Sequence, residues 1–236
     1  MKALIVRGGW PGHEPVQTAE IAARELRDEG VDVEIAETLD VYREKDPLMR
    51  FNLIVPVWTM GDVQERLPRG LLNGLFAAVK EGVGLAGWHG GMGDAFRTDT
   101  KYQFMTGGQW VEHVGGGGAH YRVRMGPAPS PITEGLSDFF VTSEQYYMQV
   151  DPQVTVLATT HVATDAAGTG TFDQAAQTAV DEDRAPGVVM PVTWTKRYGR
   201  GRVFYTSLGH VAAVFAIPEA LTMLRRGLLW AAQGVG

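Results

Sequence analysis

The chain has 236 residues, of which 44% are hydrophobic and 20% charged, and its formal net charge at pH 7 is −6. This composition is typical of a globular protein, and the acidic balance without a cluster of lysine or arginine argues against a nucleic-acid partner. The sequence contains no cysteine, which excludes disulfides, thiolate nucleophiles and cysteine-bound zinc.

Apolar segments are short throughout the chain. The first apolar run, residues 3–6, is far shorter than the apolar part of a signal peptide, and no segment approaches the roughly 20 apolar residues that span a bilayer. We therefore expect a cytoplasmic protein without a membrane partner.

The first half of the chain alternates between strand and helix patterns. Continuous apolar runs at residues 3–6, 53–58 and 84–88 predict strands buried on both faces, and an alternating run at residues 31–36 predicts another. A helical stripe begins at Pro15 and stops at Gly30, and residues 71–79 form the face of a second helix. This order predicts an α/β fold with a doubly wound, mostly parallel sheet, which binds ligands at the carboxyl ends of its strands.

The second half has a different pattern. Residues 121–125, 144–148 and 155–160 predict short strands of an added β region, and residues 161–187, which lack periodicity, predict a mobile surface loop. Residues 188–195 and 202–207 predict a hairpin, and a leucine-rich segment from Leu221 predicts a C-terminal helix. We expect residues 1–236 to form a single domain.

The sharpest local feature is Gly87-Trp88-His89-Gly90-Gly91, which has the glycine spacing of a nucleophile elbow with histidine in the nucleophile's place. Such a turn would project His89 into the crevice at the sheet edge, where an imidazole is suited to moving protons. The alternative is that His89 is an ordinary turn residue and that the glycines serve packing alone.

Other polar residues also fall near predicted strand ends. His13 and Glu14 follow the first strand, where Trp10 could provide a platform for a sugar ring; alternatively His13 is a solvated loop residue, Glu14 a helix cap and Trp10 a core aromatic. His210 follows the last strand and could be a base, a metal ligand or a helix cap.

Two further segments combine polar and aromatic groups. His113 lies in a run that begins at Gly107 and precedes four consecutive glycines, but the run lacks the H-E-x-x-H spacing, so only a zinc site assembled from distant loops is compatible with it. In Ser143-Glu144-Gln145-Tyr146-Tyr147, strand alternation would turn Glu144 and Tyr146 to one side. The alternative is an ordinary half-buried strand.

Several of these motifs, in this order, resemble the ThuA-like (trehalose utilisation) family over nearly the whole chain. The motifs are residues 8–14, 87–96, 107–110, 143–148 and 198–210. That family resembles the class I glutamine amidotransferase-like, flavodoxin-like fold, whose other members have a cysteine nucleophile at the elbow. Because His89 matches that position, the resemblance implies that this chain is not a glutamine amidotransferase.

The resemblance implies an enzyme of trehalose or related disaccharide catabolism. Its substrate would be a keto-sugar formed by a partner sugar dehydrogenase, and we expect isomerisation through an enediol. A metal-dependent hydrolase of keto-glycosides and a non-catalytic sugar-binding protein are the alternatives. A homo-oligomer is expected on general grounds alone.

The candidate residues fall into three sets. The expected catalytic residues are His89, His210 and Glu144. The expected substrate-binding residues are Trp10, His13, Glu14, Trp58, Trp88, Asp94, Gln109, His113, Gln145 and Tyr146. If a divalent metal such as Zn²⁺ or Mn²⁺ is bound, its candidate ligands are His13, His89, His113 and His210.

Overall fold

The computed structural model describes residues 1–63, 67–164 and 187–234. Its strands are β1 (Lys2–Gly9), β2 (Asp32–Ala36), β3 (Leu53–Thr59), β4 (Gly84–Trp88), β5 (Gly108–Val114), β6 (His120–Met125), β7 (Phe139–Thr142), β8 (Gln145–Val150), β9 (Thr155–Ala163), β10 (Gly187–Tyr198) and β11 (Gly201–Thr206). Its α-helices are α1 (Pro15–Asp28), α2 (Lys45–Leu48), α3 (Asn73–Glu81), α4 (His89–Gly93), α5 (Thr100–Thr106) and α6 (Pro218–Ala232).

Nine of the strands form one sheet, in the order β2-β1-β3-β4-β11-β10-β9-β6-β7. The first five in this order pair in parallel, and the remaining pairs are antiparallel. Strands β5 and β8 form a separate antiparallel pair. The predicted α/β class and C-terminal hairpin are confirmed, and β11 of that hairpin completes a parallel part with flavodoxin-like strand order.

Helices cover both faces of the sheet. Buried side chains of α1 and α6 pack on one face and those of α3 and α5 on the other, which explains why Ile5, Val55 and Ala86 have no exposed surface. Each fully buried Ile, Val or Leu side chain stabilises the fold by about 1.5–3 kcal/mol before entropy is counted. The continuous apolar runs in the sequence are thus the centre of the core.

Helix α1 follows the sequence signals closely. Pro15 is its first residue, where the missing N–H costs nothing, and Ala19, Ala22 and Leu26 form its buried stripe. The helix ends before Gly30, whose φ of +76° is a left-handed conformation that glycine adopts without strain. These signals set where α1 begins, and the loop before the helix lies at the carboxyl end of β1.

The predicted mobile loop at residues 161–187 is wrong at both ends. His161 to Ala163 continue β9, and Gly187 begins β10 and pairs with Ala163. Residues 165–186 lie outside the described residues. Strands β5 and β7 were not predicted, because β5 mixes polar and apolar residues and β7 has only four residues. No helix in the described ranges combines the length and the apolar character needed to cross a membrane.

Candidate active site

Three histidines meet at the carboxyl edge of the parallel strands. His13 follows β1, His89 follows β4 and His210 follows β11. The ring centroids of His13 and His89 are 4.7 Å apart, those of His13 and His210 are 5.1 Å apart, and those of His89 and His210 are 5.2 Å apart. The topology therefore gathers side chains that are distant in sequence.

The turn at His89 has the geometry of an elbow. Its φ of +42° is one that few residues other than glycine adopt. A Cβ atom on Gly90 would lie 2.5 Å from Cε1 of His13, and one on Gly91 would lie 3.0 Å from Cα of Val57. Both glycines are needed, because one admits His13 and the other lets the turn sit close to β3.

Glu144 lies at the centre of the three imidazoles. Its Oε2 atom is 3.0 Å from Nε2 of His89 and 3.7 Å from Nε2 of His13, and its Oε1 atom is 3.5 Å from Nε2 of His210. Burial alone would raise the pKa of the Glu144 carboxyl, but the imidazoles of His13, His89 and His210 around it hold that pKa well below its usual range. Glu144 is therefore a carboxylate at neutral pH.

His89 lies behind Glu144. It has no exposed surface, its Nδ1 atom donates a 2.7 Å hydrogen bond to the carbonyl of Ser207, and its ring stacks on Tyr146 with centroids 3.9 Å apart. Burial lowers the pKa of His89 to about 4, although the neighbouring Glu144 carboxylate opposes the shift. Burial also lowers the pKa of His210, which the Glu144 carboxylate opposes.

A small cavity of about 130 Å³ opens beside this cluster. Six of the expected site residues line it, namely Trp10, His13, Asp94, His113, Glu144 and Tyr146. His89 and His210 are not on its wall. The expectation that His89 projects into the crevice is therefore wrong, since its ring is covered by Glu144 and Tyr146.

A larger groove of about 490 Å³ adjoins the cavity and shares Trp10, Thr59 and Met60 with its wall. Trp58, one of the predicted substrate-binding residues, lines this groove. Tryptophan rings are flat apolar surfaces on which sugar rings can pack. The cavity and the groove therefore lie side by side at the sheet edge.

Asp94 is held by an arginine that the sequence did not single out. Arg97 donates two hydrogen bonds to the Asp94 carboxylate, and its guanidinium lies 4.2 Å from the ring of Trp110. Burial raises the pKa of Asp94, and Arg97 opposes the shift. The cavity is also lined by Arg97, Trp110 and Thr59. Because Thr59 is the last residue of β3, the rule that ligands bind at the carboxyl ends of parallel strands could have identified it.

Four expected substrate contacts are corrected by the structure. Trp88 is 2% exposed and packs edge-on against Phe215 in the core, because strand alternation turns it away from the cavity. Gln145 is buried, and its amide donates hydrogen bonds to Oγ1 of Thr160 and the carbonyl of His161.

The other two corrections concern Gln109 and Glu14. Gln109 lies in β5, opposite Gln149, and lines neither the cavity nor the groove. Glu14 directly precedes α1 with a φ of +47°, and its Oε2 atom accepts a 2.9 Å hydrogen bond from the backbone N–H of Ala212. It therefore fixes the loop after His210, and it lines neither space either.

Solved structures share this fold at low sequence identity. A ThuA-like protein from Parabacteroides merdae matches with a TM-score of 0.71 and 18% identity over 98% of this chain and 90% of that one. A cytoplasmic protein from Salmonella typhimurium LT2 matches with a TM-score of 0.67 and 13% identity over 98% and 99% of the two chains. A glutamine amidotransferase from Thermotoga maritima matches with a TM-score of 0.54 and 12% identity over 99% and 96%.

No curated protein matches the chain. The model of the ThuA family, described as trehalose utilisation, matches residues 2–231. This match and the structural neighbours confirm the resemblance seen in the motifs. The chain belongs to the ThuA (trehalose utilisation) family and has the α/β fold that glutamine amidotransferases also have.

Proposed function

We propose that this protein isomerises keto-derivatives of trehalose or related disaccharides, by moving a proton next to the carbonyl group. The observation that carries the proposal is a carboxylate, Glu144, on the wall of a small cavity and within 3.7 Å of three imidazoles. Imidazole and carboxylate groups are the usual carriers of protons in enzymes at neutral pH. Membership in a trehalose-utilisation family supports a disaccharide substrate.

The reaction is redox-neutral and needs no external oxidant. A base removes the proton from the carbon beside the carbonyl, and the carbonyl oxygen gains a proton, which gives an enediol. The neighbouring hydroxyl then loses its proton, and the former carbonyl carbon gains one. The keto group has moved by one carbon, with every proton returned to the sugar or to the base.

We assign the role of base to His210. It does not line the cavity itself, but its side chain is 16% exposed, against 1% for His89, so it is the more accessible of the two imidazoles. Glu144 orients the His210 ring through the 3.5 Å contact at Oε1 and stabilises the imidazolium that forms. His89, which is covered, positions Glu144 from behind.

The space at the site supports a two-ring substrate. The cavity of about 130 Å³ is smaller than the roughly 300 Å³ at which ligand pockets begin, but the adjoining groove provides about 490 Å³ more. In this arrangement the keto-sugar ring reacts beside Glu144, and the second ring packs against Trp10 and Trp58 in the groove.

The test is incubation of the purified protein with 3-keto-trehalose in D₂O, followed by NMR. We expect deuterium to enter beside the carbonyl and a new keto-isomer to accumulate. The variant His210→Asn should lower this rate by about a hundredfold or more. The matched control His120→Asn, at an exposed histidine that bonds Thr142, should leave it unchanged. Free glucose products without exchange would instead indicate a hydrolase, and saturable binding without turnover a sugar-binding protein.

A further inference from the structure

The hydrogen bonds of His89 fix which of its nitrogens carries a proton. The Ser207 carbonyl can only accept, so Nδ1 of His89 is the donor in the 2.7 Å bond between them. A neutral His89 then points the bare lone pair of Nε2 at Oε2 of Glu144, 3.0 Å away. Two acceptor atoms at this distance repel each other unless a cation lies between them.

His13 presents the same arrangement. Its Nδ1 atom bonds Oγ1 of Thr59 at 2.8 Å; this hydroxyl can donate or accept, and with Nδ1 as the donor the Nε2 atom carries a bare lone pair. This Nε2 atom lies 3.7 Å from the same carboxylate oxygen of Glu144. With that tautomer of His13, two imidazole lone pairs and one carboxylate oxygen converge, and each imidazole bonds an oxygen through its other nitrogen.

A proton does not account for this convergence. One proton can bridge one pair of these atoms, and it would leave the third acceptor facing the other two. It would also place a charged imidazolium at His89, which has no exposed surface, and burying a charge is costly. A metal ion binds all three lone pairs at once.

The distances fit a small divalent ion. The three ligand atoms all lie within 4.8 Å of one another. Tetrahedral zinc with ligands at about 2.0–2.2 Å separates those ligands by about 3.4 Å, and the two measured separations from Oε2, 3.0 and 3.7 Å, lie on either side of that value.

The surroundings are also those of a metal centre. Histidine ligands of metals usually donate their second N–H to a carbonyl or another oxygen, which is what Ser207 and Thr59 provide here. Among the described residues, the ion pairs of the Glu144 side chain are all with histidines. No lysine or arginine in those ranges supplies the positive charge that would compensate this carboxylate.

We propose that His13, His89 and Glu144 bind one Zn²⁺ ion, with a fourth position open towards the cavity. Two histidines, one glutamate and an exchangeable position form a known type of catalytic zinc site. Of the four expected metal ligands, His13 and His89 belong to this set. His113 and His210 do not, and His210 instead faces the second oxygen of Glu144. Zinc binding at this site does not depend on the proposed reaction. Only a role for the ion in polarising the sugar carbonyl rests on that proposed function.

The experiment measures zinc directly, without activity. Chelator-treated protein is incubated with ZnCl₂, dialysed, and its zinc content is measured by mass spectrometry, with affinity from competition against a zinc-binding dye. We expect one zinc per chain, and no competition from MgCl₂, because imidazole is a poor magnesium ligand. The variants His13→Ala and Glu144→Gln should bind at least about a hundredfold more weakly.

Controls separate a lost ligand from a lost fold. His120→Ala and His113→Ala should bind zinc like the parent protein, since neither residue is in the set. Thr59→Val keeps the shape of the side chain and removes the bond to His13, so it should weaken binding by about tenfold without unfolding. Substoichiometric zinc in the folded parent protein, or equal affinity in all variants, would overturn the proposal. Zinc binding without isomerisation would support the zinc site and contradict the proposed function. Isomerisation without zinc binding would support the proposed function and contradict the zinc site.

Discussion

The cavity has two walls that differ in rigidity. The strand-end wall consists of residues that follow parallel strands, with His13 at the cavity and His89 buried behind it, and their side chains are 9% and 1% exposed. The sheet wall consists of residues of the β5–β8 pair, such as His113, whose side chain is 42% exposed. Histidine occurs in both, but the strand-end wall fixes each ring through its second nitrogen. We infer that this wall performs the chemistry and that the sheet wall contacts the substrate.

Glu144, which directly precedes β8, joins the two walls, so its loss should have the largest effect. Glu144→Gln keeps the size of the side chain and removes its charge, and we expect turnover of 3-keto-trehalose to fall by about a hundred- to ten-thousandfold. NMR assay of the variant beside Glu29→Gln, at an exposed carboxylate in the same protein, checks this. Turnover within a few-fold of the parent would contradict the central place of Glu144.

Trp88 tests whether the strand-end wall owes its rigidity to the core beneath it. Trp88→Ala removes a buried ring, and we expect it to lower the free energy of unfolding by about 3–5 kcal/mol, measured by urea denaturation. Substrate KM of the folded fraction should stay near that of the parent, because Trp88 faces α6. If the variant is too unstable to study, Trp88→Phe should give a smaller loss of stability. A raised KM with unchanged stability would instead show that Trp88 contacts the substrate.

Gly90 tests how closely the strand-end wall is packed. In Gly90→Ala the new methyl group would lie 2.5 Å from His13, which must move. We expect about 1–3 kcal/mol of lost stability and at least a tenfold lower turnover. Thermal unfolding and the NMR assay measure the two effects. Gly118→Ala, where an added Cβ meets nothing and φ is not positive, separates the clash at this turn from a general cost of losing glycine.

His113 should give the smallest effect, since it belongs to the open sheet wall. In His113→Ala we expect KM to rise about two- to fivefold, from the loss of a single contact to the substrate, with kcat unchanged. Steady-state kinetics on 3-keto-trehalose measure both constants. A large fall in kcat would show that the two walls share the chemistry.

The strand-end wall was predictable from the sequence to a large extent. Apolar runs ending before His13, His89 and His210, together with the rule for parallel sheets, were enough to bring these residues to one edge. The sequence did not predict how deeply each histidine is buried. His89 lies behind Glu144, and only the packing of Tyr146 against its ring decides that.

The sheet wall was much less predictable. The pairing of β5 with β8 depends on contacts distant in sequence, and the bulge between Trp110 and Glu112 changes which side chains face the cavity. Alternation correctly separated Glu144 and Tyr146 from Gln145. It could not show that Arg97 holds Asp94, because an ion pair between loop residues leaves no periodic signal.

The position of β11 in the sheet has a consequence for how the protein folds during its synthesis. The hydrogen bond between His89 and Ser207 joins residues 118 positions apart. Strand β4 pairs with β3 on one side, and it lacks a partner on its other side until β11 has been made. On the ribosome, the first four parallel strands must wait with one sheet edge open, a state prone to aggregation and slow to resolve. The histidine cluster can therefore assemble only after β11 and His210 have been made.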